Sequence, residues 1–288
     1  MSTTGIFAVS TTGIFERLDE LPSLPAVYQR VRHALDDPDG SLESVARLIE
    51  TDPSMTARVL RVANSALYAL PGKVDTVLRA LTIIGAAETH QLVLATTVIS
   101  VFRDLPLGAV SMRSFWEHSI ACGIAARAIA RNQRLNDPEH YYLAGLFHDI
   151  GRLPLFILEP HAMSIALQAH RERQGPLWEL EQQFFGLTHA DLGAALLKHW
   201  EIPIIYQNAA ALHHGLMAAQ PWPLEAAIAH SADLIVNSLR IGTSGTHWVP
   251  MLDDDAWRKT GLDVKDLPDI VEITTSTARD VTSAFLEL

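Results

Sequence analysis

Apolar positions recur at helical spacing along almost the whole chain. Val45, Leu48 and Ile49 fall on one face of a segment that Ser41 can cap. Met55, Val59, Leu60, Val62 and Ala63 form the next stripe behind Asp52-Pro53, a capping side chain followed by a proline suited to a first helical turn. Pro25 opens an earlier helix running to about Leu35, which Asp36-Asp37-Pro38-Asp39-Gly40 breaks. Past the turn at Pro71-Gly72 the pattern predicts helices over Val77–Ile84, stopped by Gly85, and over Ala86–Phe102. Strand-like alternation with turn signals is nearly absent, so the chain is expected to be all-α, a multi-helix bundle.

Leu105-Pro106-Leu107-Gly108 reads as a joint. A long helix starts at Ser111 and carries Phe115, Trp116, His118, Ile120, Ile124 and Ile129; Asp137-Pro138 begins another that delivers His148-Asp149 at its end, where Gly151 breaks it. The segments 160–173 and 176–185 mix charges and read as surface helices. Thr188 can cap a helix opening with His189, the helix after Pro203 ends at His213-His214-Gly215, and the one after Pro223 holds Asp233 in its middle. A final amphipathic helix spans about 268–286. Residues 2–7 recur as 10–15, a repeat too short for a solenoid unit, and residues 1–17 are read as a flexible arm.

With 48% of its 288 residues apolar and 19% charged, the chain has the composition of a packed globular protein. Its net charge of −11 lacks the basic stripe of a nucleic-acid binder. The single cysteine, Cys122, has no internal partner, which fits a reducing cytosol, and it reads as inert packing in an apolar helix. No secretory signal is visible, and the apolar run 80–102 is interrupted by Glu88, His90 and Gln91, so a buried helix is expected rather than a membrane span. A cytoplasmic location follows as an expectation.

Chemistry enters at Phe147-His148-Asp149-Ile150-Gly151. A carboxylate among Leu146, Phe147, Ile150 and Leu153 costs several kcal/mol unless a cation or hydrogen-bond donors meet it. His118, His189, the pair His213-His214 and Asp233 stand in similarly apolar helical settings. Mixed imidazole and carboxylate shells suit Zn(II), Fe(II), Mn(II) or Ni(II), and the lack of thiolate points away from a structural zinc knot. Each residue also has a plainer reading. His118 could be a core histidine bonded to a carbonyl, His148 and Asp149 a hydrogen-bonded structural pair, and His189 a first-turn residue. His213-His214 could complement a helix end, and Asp233 could be a buried acceptor. His90, His140, His161, His170, His199, His230 and His247 are taken as surface or packing residues, and Trp116 and Trp200 as core anchors. Asp253-Asp254-Asp255 reads as a solvated loop that caps the next helix.

Spacing alone does not bring these segments together; a resemblance does. The order His118, His148-Asp149, His189, His213-His214, Asp233 resembles the ligand pattern of the HD phosphohydrolase superfamily, especially its HD-GYP branch. The wider chain resembles the HDOD (HD-related output domain) family through Leu21-Pro22, Leu24-Pro25, Asp52-Pro53, Asn64-Ser65-Ala66-Leu67-Tyr68, Phe115-Trp116-Glu117-His118-Ser119, Ala144 through Gly151, and Leu197 through Pro203. The resemblance implies a helical N-terminal subdomain, residues 18–105, packed on an HD-like subdomain, residues 112–240, with a C-terminal helical extension over 241–288. It also implies a bacterial signal-transduction output module that is generally regulatory rather than catalytic. Such a module acts through contacts with a kinase, receiver domain or transcription regulator, with self-association left open, and its His/Asp cluster holds divalent metal.

The rival is a metal-dependent phosphohydrolase in which Asp149 and Arg152 act catalytically; a third reading is a scaffold with an empty cluster. Three departures count against cyclic di-GMP hydrolysis. No Gly-Tyr-Pro follows the His pair, Arg152 stands where HD-GYP enzymes usually place lysine, and Ser114 occupies the position of an acidic ligand four residues before His118.

Overall fold

A computed structural model describes residues 11–103, 110–215 and 222–287, and its described residues form helices without a strand. The backbone divides into two compact units. The smaller takes residues 22–104 and 272–288, the larger residues 1–21 and 105–271.

Helix α1 (Thr11–Glu16) opens the described part of the large unit. The small unit continues with α2 (Ala26–Asp36), α3 (Leu42–Glu50), α4 (Pro53–Ala63), α5 (Val77–Ile84) and α6 (Ala86–Phe102). The expected start signals operate: the Ser41 hydroxyl accepts from Ser44 N at 3.2 Å, and Asp52 accepts from Ser54 N and Met55 N. Apolar faces of α2, α4 and α5 pack on α6, which is apolar on nearly all sides and correspondingly buried from Leu92 to Ile99. Among the described residues no helix is long and apolar enough to cross a membrane.

The large unit holds α7 (Met112–Asn132), α8 (Pro138–Phe147), α9 (Arg152–Leu158), α10 (Pro160–Arg171), α11 (Leu177–Phe185), α12 (His189–His199), α13 (Ile204–Leu212), α14 (Leu224–Leu239) and α15 (Asp254–Thr260). Helix α7 is the axis against which α8 and α14 pack, and α13 closes on α8, α12 and α14. Two glycines set the approaches that matter for the site. A Cβ on Gly145 would lie 2.5 Å from the Cys122 carbonyl oxygen, so α8 meets α7 backbone to backbone there. A Cβ on Gly151 would lie 1.9 Å from His189 O and 2.3 Å from Gly193 N, so the turn after α8 sits directly on α12.

Three expectations need correction. The described part of the arm is ordered: residues 11–16 are helical and Ile14 is buried, because its side chain is an apolar anchor that the short repeat conceals; residues 1–10 lie outside the described residues. Residues 241–288 do not form a separate extension. Up to Val271 they belong to the large unit, where α15 packs on α14, and the rest of α16 (Leu267–Leu286) belongs to the small unit, where Asp280 accepts from Ala66 N at 2.7 Å. Helix α11 is less superficial than its mixed charges suggest: Glu179, Gln182 and Gln183 are exposed, but Leu177, Leu180, Glu181, Phe184 and Phe185 form a buried face. His170, read as a surface or packing residue, is a packing one, fully buried with Nδ1 bonded to Gly175 O.

Candidate metal centre

All seven candidate residues come together in the large unit. Helix α7 supplies His118, the turn after α8 supplies His148 and Asp149, α12 begins with His189, α13 is followed at once by His213 and His214, and α14 contributes Asp233. Their ligand atoms fall into two sets, each within 4.8 Å: His118, His148 and Asp233 with Cys122, and Asp149 with His189, His213 and His214. All are buried except His214, which is partly exposed and stacks on Trp178.

Local structure fixes the imidazoles. His148 Nδ1 lies 2.7 Å from Gly145 O and His213 Nδ1 2.8 Å from Ala210 O, each a carbonyl of the preceding helical turn. A carbonyl only accepts, so both Nδ1 atoms carry hydrogen, and in the neutral ring each Nε2 presents a lone pair. His189 Nδ1 is held in the same way by the Glu181 carboxylate. This is how a ligating histidine is oriented from behind.

The free nitrogens then meet. His189 Nε2 stands 3.2 Å from His213 Nε2, 3.1 Å from His214 Nε2 and 3.0 Å from Asp149 Oδ1. Lone pairs facing one another at this distance call for a proton or a metal ion between them. On the other side, His118 Nε2 is 3.0 Å from Asp233 Oδ1, and His148 Nε2 is 3.5 Å from the same oxygen and 3.3 Å from Asp149 Oδ2. His148 Nε2 and Asp149 Oδ1 are buried without a hydrogen bond.

Sequence reasoning named Arg152, as a catalytic residue of the rival reading, and missed the other residues behind the candidate ligands. Arg152, fully buried, donates to Asp149 Oδ2 at 2.6 Å and to Glu181 Oε1 at 3.3 Å, and Ser244 also donates to Asp149 Oδ2. Asn237 donates to Asp233 Oδ1 at 2.7 Å. Glu181 had a readable signal, a carboxylate on the apolar stripe of Leu177, Leu180 and Phe184; Asn237 sits one turn after Asp233. Ser244 lies in an irregular segment and had none. Cys122 lies one turn after His118, its Sγ 3.6 Å from His118 Nε2.

The charge count is informative. Asp149, Asp233 and Glu181 are buried carboxylates, and among the described residues Arg152, paired with Asp149 and Glu181, is the one buried Arg or Lys that touches any of them, which leaves two negative charges. Burial opposes ionisation of Asp149, yet Arg152, His148 and His189 hold it well below the usual carboxylate range; Asp233 is held down likewise by His118 and His148. The deficit appears on the imidazoles. Burial disfavours the His148 cation, but Asp149 and Asp233 prevail and push its pKa up to about 10. His189 is raised against burial and Arg152 by Glu181 and Asp149. Burial lowers His213 to about 4, and burial with its two neighbours holds His214 well below the ordinary range. Two protons, on His148 and His189, or one divalent cation would balance the centre. The donor set of neutral imidazoles and carboxylates fits such an ion.

A sequence model of the HDOD domain matches residues 21–216. An HDOD domain protein of unknown function from Geobacter sulfurreducens has the same fold, with a TM-score of 0.78 at 25% identity over 96% of each chain. A candidate phosphohydrolase from Shewanella amazonensis SB2B superposes with a TM-score of 0.75 at 21% identity, covering 98% of this chain and all of that one. A candidate signal-transduction protein from Marinobacter aquaeolei VT8 gives a TM-score of 0.70 at 19% identity, over 95% of this chain and 64% of that one. In sequence, an uncharacterized protein of Treponema pallidum (strain Nichols) is 24% identical over 206 residues; these make up 70% of this chain and 39% of that protein.

Proposed function

The chain belongs to the HDOD family, and on that premise we propose that it is a bacterial, cytoplasmic signal-transduction output module. It works through contacts with other signalling proteins and is built around a buried, non-catalytic divalent-metal centre. Asp149, His189, His213 and His214 hold the ion, and His118, His148 and Asp233 complete the polar wall. When bound, the ion supplies the positive charge that the surrounding carboxylates lack. The likeness to a candidate signal-transduction protein supports the signalling part of this reading.

The observation that carries the non-catalytic part is the state of Asp149. Hydrolysis through paired ions asks a carboxylate to bridge them and asks one ion to keep an open position. Here Asp149 Oδ2 is taken by Arg152 and Ser244, so Oδ1 alone is free to ligate. Oδ2, the oxygen that faces His148 of the other set at 3.3 Å, is thereby occupied and does not bridge two ions. A second ion beside His118, His148 and Asp233 would need another anion, and the nearest, Cys122, is a fully buried thiol that burial holds well above its ordinary pKa.

The test is phosphodiesterase assay of the metal-reconstituted full chain on bis(p-nitrophenyl) phosphate, beside Arg152→Lys. No turnover above the metal blank is expected from the wild type. Turnover that depends on Asp149 and is lost in Asp149→Ala would replace this reading with a metal-dependent phosphohydrolase.

A further inference from the structure

Behind the centre lies a second feature with different chemistry. A cavity of about 560 Å³ opens between the turn after α10, the C-terminal end of α14 and the segment that follows it. Its walls include Arg173, Arg240, His247, Asn237, Thr243 and Thr246 and, among the described residues, no carboxylate. In a chain of net charge −11 this is a local inversion of sign. Neither the Arg173 nor the Arg240 guanidinium has a hydrogen bond or ion pair among the described residues. Arg171 donates through Nε to His247 Nε2 at 2.8 Å, which fixes the Nδ1–H tautomer and makes His247 a further donor.

The backbone is shaped to match. Arg173, Arg240 and Gly242 all adopt positive φ, near 61°, 56° and 61°. The hydroxyl of Thr243 turns inward to Thr246 O and accepts from Gly245 N, which stiffens the segment. Two forked guanidiniums and the His247 N–H, with no acid among the described lining residues, describe a receptor for phosphate oxygens. The volume lies in the range of small-ligand sites, and Trp248 adds an aromatic wall.

We propose that this cavity binds a phosphorylated small molecule of nucleotide size. The site is wired to the metal centre from the back. Asn237, in its wall, donates to Asp233, and Ser244, between Thr243 and Gly245, donates to Asp149. A bound phosphate that pulls on this segment therefore acts on two carboxylates of the centre, which is what a signalling module needs from an effector site.

Isothermal titration of pyrophosphate and of ADP into the full chain tests this, with protein both metal-loaded and chelator-treated. Saturable binding is expected in both forms, weakened at least about tenfold in Arg240→Glu and in Arg173→Glu, whose exposed side chains leave the thermal melt unchanged. Binding lost on chelation would place the phosphate at the metal instead and overturn the proposal. So would absence of binding, or equal affinity in both variants. A phosphoserine peptide bound more tightly than either probe would assign the cavity to a protein partner and sink the small-molecule reading.

Discussion

Arg152 is fully buried between Asp149 and Glu181, and its guanidinium is what allows two carboxylates to stay ionised beside the imidazoles. Removing one partner of a buried ion network leaves the others uncompensated, at a cost of about 3–5 kcal/mol. Arg152→Ala should therefore destabilise the protein by roughly that amount in urea unfolding, whereas a change under about 1 kcal/mol, the scale of an exposed pair, would show that Arg152 is not the counter-charge described. His148 gives a pH signature. Its pKa in the metal-free fold, about 10, lies above the ordinary histidine value, so its contribution is complete below about pH 6.5. That contribution fades as pH rises through 10. His213, lowered to about 4, works in the opposite sense and removes stability as pH falls from about 6.5 toward 4. Chelated protein should thus lose stability on the alkaline side while metal-loaded protein stays flat there; parallel curves for the two forms would contradict the exchange of proton for metal. At this scale the candidate residues stood out, because an imidazole or carboxylate in an apolar helical stripe is conspicuous, and the resemblance supplied their grouping. Ser244 was not, since nothing in Gly242-Thr243-Ser244-Gly245 distinguishes a residue aimed at Asp149 from a solvated loop.

Helices meet at this site by close backbone approach. The turn carrying His148 and Asp149 rests on α12 at Gly151, where a Cβ would overlap His189 O and Gly193 N. Gly151 has an ordinary helical φ of −68°, so alanine is refused there by space and not by conformation. Gly151→Ala should push α12 and its His189 away, costing about 1–3 kcal/mol and lowering metal affinity together; a stable variant with unchanged metal affinity would mean that the approach is not what sets the site. Element boundaries were largely readable, because prolines and capping side chains mark them: Asp52-Pro53, Asp137-Pro138 and Thr188 each start a helix where expected. The arm was misread because α1 is too short to display a period, and its anchor is the single side chain of Ile14. Helix α11 was misread because its mixed charges hid the fact that Glu181 lies on the apolar face.

Taken as a whole, the molecule splits its labour between two units with separate cores, and all the titratable chemistry of the centre resides in the large one. The division was only partly legible. The joint read at Leu105-Pro106-Leu107-Gly108 lies outside the described residues, and the return of α16 to the small unit depends on contacts remote in sequence, such as Asp280 to Ala66, that no local pattern announces. Across the molecule the net charge is set by exposed acids, yet the two uncompensated charges that matter are buried around Asp149. Elemental analysis of the full chain, purified without chelator and then reconstituted, beside Asp149→Ala and Cys122→Ser, addresses this most directly. About one divalent ion per chain is predicted for the wild type and for Cys122→Ser, with loss of the ion in Asp149→Ala. A wild type that stays metal-free after reconstitution, or an Asp149→Ala variant that keeps its ion, would contradict the account.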